Sequence, residues 1–193
     1  MGGSDLKEMK DEIEAFVKQS QDGDHDAFAK LYDIFIDPIY RYVYYRVNAD
    51  DAEDIVETVF LKVWENLARY KSTKKAFSAW VFRIAHNLVV DYYRASKERR
   101  HDELPEDLKT HQREHSPIKQ TEQALDSEIL KIAIKKLKKN YQEVIVYKFI
   151  NDLSNPEIAE ILKRSEGSLR ILQHRALKAL KRELGDMGIK YVI

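Results

Sequence analysis

The sequence contains no cysteine, which excludes disulfides and thiolate metal sites and is compatible with a reducing cytoplasm. No apolar run approaches the length of a membrane span, and the start lacks a hydrophobic signal-peptide core. A cytoplasmic protein without membrane insertion is therefore expected. There is no glycine-rich phosphate loop, no His/Cys cluster and no pair of carboxylates in a catalytic context, so neither an enzyme nor a bound cofactor is expected. The histidines His101, His111 and His115 have a spacing that matches no common metal site, and no metal is expected. Net charge is absent as well, since 33 Lys and Arg balance 33 Asp and Glu. The balance is global only. Residues 1–70 carry −8, residues 71–100 carry +6, residues 101–125 carry −3 and residues 126–193 carry +5. The basic blocks are the electrostatic footprint of nucleic-acid binding, whereas the acidic first block suits a protein partner.

What is present is helical periodicity. With 193 residues, 44% hydrophobic and 34% charged, the chain fits an all-α protein of two small helical domains better than one large core. A first helix is predicted over Asp5 to Gln21, with Gly23-Asp24 breaking it. A second run carries Phe28, Leu31, Tyr32 and Phe35, is interrupted by Pro38, and resumes over Ile39 to Val47. The tyrosines Tyr40, Tyr42, Tyr44 and Tyr45 sit at core spacing and are assigned packing rather than chemistry. Asn48-Ala49-Asp50 supplies turn and N-cap residues for the helix around which the chain is organised, Asp51 to Tyr70. Its apolar stripe is Ile55, Val56, Val59, Phe60, Val63, Trp64 and Leu67. The opposite face carries Asp54, Glu57, Thr58, Leu61, Lys62 and Glu65, with Asp51 in the first turn. A leucine set among carboxylates is what a docking surface offers.

A basic loop leads into a helix with Phe77, Trp80, Val81, Ile84, Leu88 and Tyr92 in register. Opening a duplex requires cations along a displaced strand and a place for unstacked bases. Lys71, Lys74, Lys75, Arg83, Arg94, Lys97, Arg99 and Arg100 could supply the first, and the Ser72-Thr73 loop with Asn87 the second. Of these, Lys74, Lys75, Arg83, Asn87 and Arg94 are the candidate DNA contacts. Residues 101–125 lose the pattern and read as a linker. This divides the chain into a domain at 1–100, a linker at 101–125 and a domain at 126–193. In the last domain Ser154 and Glu157 form a capping-box signature with Pro156 in the first turn, Ser165 caps a further helix, and Gly185 ends it. Two capped helices around a tight turn, the second basic, make a helix-turn-helix.

Three stretches resemble one family in order and spacing. DAEDIVETVFLKVWENL is similar to the core-polymerase-binding helix of bacterial RNA polymerase sigma factors of the extracytoplasmic-function group. The Phe77 to Arg100 segment resembles their promoter-melting and minus-ten-recognition segment. Leu153-Ser154, Glu157-Ile158-Ala159, Ser165-Glu166-Gly167, Arg170 and His174-Arg175-Ala176 resemble their minus-thirty-five-reading domain. The resemblance implies a non-enzymatic alternative sigma factor. It would dock on the β′ clamp of polymerase core through Asp51, Asp54, Glu57, Thr58, Leu61, Lys62 and Glu65. It also implies promoter DNA as a partner, read by Glu166, Ser168, Arg170, Ile171 and His174 with Arg175 and Lys178 on phosphates, and control by an anti-sigma factor. The chain departs from the family pattern at Ile171, Leu172, Gln173, Leu177 and Ala179, where the apolar stripe of the recognition helix is shifted by one, so weaker or different minus-thirty-five reading is expected. A helix-turn-helix regulator acting without polymerase is the alternative, but it needs neither the acidic helix face nor the melting-like segment.

Overall fold

The computed structural model describes residues 3–72, 76–102 and 122–189. Lys74 and Lys75, most of the expected linker, and the side chains of His101, His111 and His115 lie outside the described residues. The described residues form α1 (Gly3–Gln21), α2 (His25–Tyr44), α3 (Ala49–Asn66), α4 (Phe77–Asp102), α5 (Glu122–Lys136), α6 (Lys139–Ile145), α7 (Asn155–Leu162) and α8 (Glu166–Asp186). A short 3-10 turn, Leu67–Arg69, closes α3, and a π-helical turn, Val146–Ile150, continues α6.

Helices α1 to α4 make the first bundle, with α2 between α1 and α3 and with α4 against α3. Its core takes in the expected Val17, Leu31, Phe35, Val56, Val59 and Val63, but on α4 the buried line is Phe77, Val81, Phe82, Ala85 and Val89, and the expected Trp80, Ile84, Leu88 and Tyr92 are half-buried. Phe77 joins the layers, its ring 5.5 Å from Phe35 and 5.2 Å from Tyr70. Other expectations need correction. Pro38 does not interrupt α2, which runs through it. Phe35, Ile39, Tyr42 and Val43 flank the proline on one buried face. Burying each contributes about 1.5–3 kcal/mol, which together outweighs the ~3 kcal/mol cost of an internal proline. Trp64, Tyr32 and Tyr40 are not core residues; they are 41%, 40% and 38% exposed, and Trp64 lies on the rings of His25 and Phe28.

Helices α5 to α8 make the second bundle, with α8 packed on α5, α6 and α7. Ile134, Val144, Ile145, Ile158, Leu169 and Ala176 fill its centre. The capping box is formed: the Ser154 side chain accepts from the Glu157 backbone N–H, and Glu157 accepts from the Ser154 backbone N–H at 2.9 Å. Ser165 caps α8 by accepting from the Ser168 backbone N–H. Lys163, at φ 52° and ψ 48°, makes the left-handed turn between α7 and α8. Gly185 does not end α8, which continues to Asp186. The left-handed residue is Gly188 at φ +80°.

The two bundles meet along a seam, α4 on α7 and α2 on the π-helical turn. No described helix is long and apolar enough to cross a membrane, and the described residues contain no metal-binding group of side chains.

Candidate protein-docking and nucleic-acid interfaces

Because α3 buries Ala52, Val56, Val59, Phe60 and Val63, the helical period turns Asp54, Glu57, Leu61, Lys62 and Glu65 to solvent. Leu61 is 58% exposed, the largest apolar interruption of this polar stripe. Thr58 is half-buried, its hydroxyl donating to the Asp54 carbonyl at 2.8 Å. Asp51 stands apart from the stripe. It is half-buried and accepts from the Tyr92 hydroxyl on α4 at 2.8 Å. Burial and this carboxylate push the Tyr92 phenol up to about 12. Asp51 thus ties α3 to α4 and contributes less open surface than its neighbours.

Where α3 and α4 diverge, a cleft of about 360 Å³ opens, lined by Lys62, Asn66, Arg69, Tyr70, Trp80, Ile84, Asn87, Leu88 and Asp91. The expected Asn87 is exposed on its wall, and Arg94 is exposed one turn beyond Asp91, 3.4 Å from that carboxylate. Tyr70, Trp80 and Arg69 were not singled out from sequence as contacts; their position beside the basic loop was the available signal. Aromatic walls, amide donors and two cations are the chemistry that accepts an unstacked base next to a phosphate backbone. Arg83 is directed elsewhere. It is half-buried, and its Nη2 donates to the Glu160 carbonyl of α7 at 2.8 Å.

On α8 the buried line Leu169, Ala176, Leu180 and Leu184 fixes the rotation of the helix, with Leu172 and Gln173 half-buried beside it. Gln173 is held there by donating to Asn155 Oδ1 at 2.8 Å. Arg170, Ile171, His174, Arg175 and Lys178 consequently share the open side, with Glu166 and Ser168 in the first turn. The Ser168 hydroxyl donates to the Ser165 carbonyl at 3.0 Å. Ile171 is 57% exposed and Leu177 is 41% exposed, so the shifted apolar stripe places aliphatic surface on the face that carries the cations.

Aromatic and polar side chains meet at the seam between the bundles. Tyr42 of α2 stacks on Tyr147 of the π-helical turn, centroids 4.8 Å apart and planes at 9°. Beside them Arg46 Nη2 lies 3.3 Å from Glu143 Oε1 of α6. His86 Nδ1 of α4 lies 3.5 Å from the Tyr42 hydroxyl, 3.3 Å from the Tyr147 hydroxyl and 3.9 Å from Glu143. Burial lowers the His86 pKa; Arg46 and Arg83 lower it further, and Glu143 opposes them. The seam therefore accommodates neutral His86, and acid works against it. The Ser78 hydroxyl of α4 donates to Glu157 Oε1 at 2.5 Å. Burial raises the Glu157 pKa, but hydrogen bonds from Ser154 and Ser78 outweigh it and hold the carboxyl below its usual range.

Comparison with known proteins finds two family models in the chain. The Sigma-70 region 2 family model matches residues 31–99, and the Sigma-70, region 4 model matches residues 127–180. The chain is 34% identical over 184 residues to the ECF RNA polymerase sigma factor SigW of Bacillus subtilis, covering 91% of this chain and 98% of SigW. It is 34% identical over 171 residues to the ECF RNA polymerase sigma factor BldN of Streptomyces coelicolor, covering 88% of this chain and 65% of BldN. The chain thus spans about two thirds of BldN's length. The fold is shared with CnrH, solved in complex with the cytosolic domain of CnrY, at TM-score 0.69 and 22% identity over 89% of this chain and 96% of that one. It is also shared with RpoE of Bartonella quintana, solved in complex with the anti-sigma factor NepR, at TM-score 0.65 and 18% identity over 82% of this chain and 96% of that one. The chain therefore belongs to the extracytoplasmic-function RNA polymerase sigma factors, a family of DNA-binding transcription-initiation factors.

Proposed function

We propose that this chain docks on the β′ clamp of RNA polymerase core through the outer face of α3, and that the assembled holoenzyme reads and melts promoters without the chain itself catalysing a reaction. The observation that carries this reading is the adjacency of two unlike surfaces on packed helices. One is the acidic stripe around the 58%-exposed Leu61 on α3, and the other is the aromatic, amide- and cation-lined cleft between α3 and α4. A regulator acting alone has no use for the first, and a protein adaptor has no use for the second. Asp54, Glu57, Leu61, Lys62 and Glu65 form the docking stripe, supported by Thr58 and Asp51. Asn87, Arg94, Lys74, Lys75 and, once released from Glu160, Arg83 engage the melted minus-ten strand. On α8, Arg170 and His174 read minus-thirty-five base edges with Glu166, Ser168 and Ile171, while Arg175 and Lys178 hold phosphates. The chain acts in the cytoplasm, and an anti-sigma factor, the kind of partner with which RpoE was solved, sequesters it.

The test is transcription from sheared genomic DNA of the source organism by core polymerase, with and without the chain. Discrete new start sites that depend on the chain are expected. Sequence-specific duplex binding by the chain alone, with no chain-dependent initiation, would replace this reading with that of a polymerase-independent regulator.

A further inference from the structure

We propose that Ile171 reads the 5-methyl group of a thymine in the minus-thirty-five element, and so gives the helix-turn-helix a preference that its polar residues do not supply. This inference deepens, and rests on, the base reading by α8 proposed above. The thymine methyl is the one apolar feature among the hydrogen-bonding groups of the major groove, and an aliphatic side chain is what matches it. Ile171 is 57% exposed, ahead of Phe149 at 49% and Ile132 at 47% among the described residues of the second bundle. It stands across the helix from the buried Leu169, Ala176 and Leu180, so it contributes nothing to the core. It lies in the second turn of α8, within the N-terminal part of a recognition helix that meets base edges.

A single exposed isoleucine is ordinary on a protein surface; the neighbours of this one select its occupant. Three and four residues to either side stand Gly167, Ser168, His174 and Arg175, with Lys178 one turn farther on and no carboxylate among them. Leu61 on α3 has Glu57 and Glu65 at the same spacing. The face around Ile171 therefore draws a polyanion, and the base edges of the groove lie between its phosphate rows. A helical side chain lies over the turn before its own Cα. Here that turn offers Gly167, whose Cβ position has nothing within 4 Å, so the end of Ile171 is open to an approaching base. In a helix the β-branched side chain holds one dominant χ1 rotamer, so little freedom is lost when it docks. Arg170 suits a guanine and Glu166 a cytosine amino group, and neither recognises a methyl.

The test selects sites from a pool of random DNA duplexes with the full-length chain, alone and in complex with RNA polymerase core. Each thymine of the selected site is then replaced in turn by 2′-deoxyuridine, which removes the 5-methyl group and keeps every hydrogen bond of the pair. One replacement should weaken wild-type binding about 4-fold, the worth of one buried methyl. Ile171→Ala should no longer distinguish the two duplexes, and its fold is safe because alanine is the better helix former at an exposed position. Leu177→Ala, at the 41%-exposed leucine farther along α8, should keep the distinction. Indifference of the wild type to every replacement, the same penalty in Ile171→Ala, an equal loss in Leu177→Ala, a selected site without thymine, or no selected site in either form would overturn the inference. If the methyl dependence holds for the chain alone while its complex with core initiates nowhere, the thymine reading stands and the sigma reading falls. If initiation depends on the chain and the methyl does not matter, the reverse holds.

Discussion

Helices α3 and α8 are built alike and face different partners. Each buries an apolar stripe, and each presents aliphatic surface on its open side, most of all Leu61 at 58% and Ile171 at 57% exposure. The surroundings differ. Asp54, Glu57 and Glu65 ring Leu61, whereas Arg170, His174, Arg175 and Lys178 ring Ile171. An exposed apolar residue says little alone; the sign of the charges around it decides which polymer is drawn to it. Carboxylates repel phosphate and suit a protein surface, and cations do the reverse.

The contrast can be broken from the α8 side first. Arg170→Ala removes the cation beside Ile171, and promoter binding by the holoenzyme should weaken by about 5–150-fold, the worth of a bidentate contact of ~1–3 kcal/mol, with core capture unchanged. An equal loss of core capture would mean that α8 also faces protein. Lys178→Ala should weaken DNA binding more evenly across sequences and reduce the salt slope by about 1, read by repeating the titration at several salt concentrations, whereas Glu57→Gln on α3 should leave that slope alone. The smallest effect tests the helix frame itself. A Cβ at Gly167 meets nothing within 4 Å, so Gly167→Ala should raise stability by about 0.4–1 kcal/mol and the melting temperature by a few degrees.

How much of this was legible in the sequence depended on range. The capping box of Ser154 and Glu157 and the cap at Ser165 are set by residues three apart, and both are formed. Pro38 misled because its local penalty is outweighed by the packing of α2 on its neighbours, which no local pattern shows. Trp64 fits the apolar period of α3, yet it lies where the stripe runs out at the edge of the bundle, over His25 and Phe28. The seam was not legible. Its Arg46 and Glu143 are 97 positions apart, and Arg83 and Glu160 are 77 apart. Arg83 reads as a strand-binding cation from sequence and sits in the structure as a bond between bundles. The shifted stripe of α8 was legible, and the half-buried Gln173, tied to Asn155, shows how the helix keeps its cations outward despite it.

The central claim is that the outer face of α3 is the polymerase-docking surface. Its most direct test is capture of RNA polymerase core by the wild-type chain, by Asp54→Arg with Leu61→Arg, and by Arg170→Ala, with helicity and melting checked for each. The account predicts capture by the wild type and by Arg170→Ala, and its loss in the α3 variant at unchanged melting. Undiminished capture by a folded α3 variant, or none by the wild type, would contradict it.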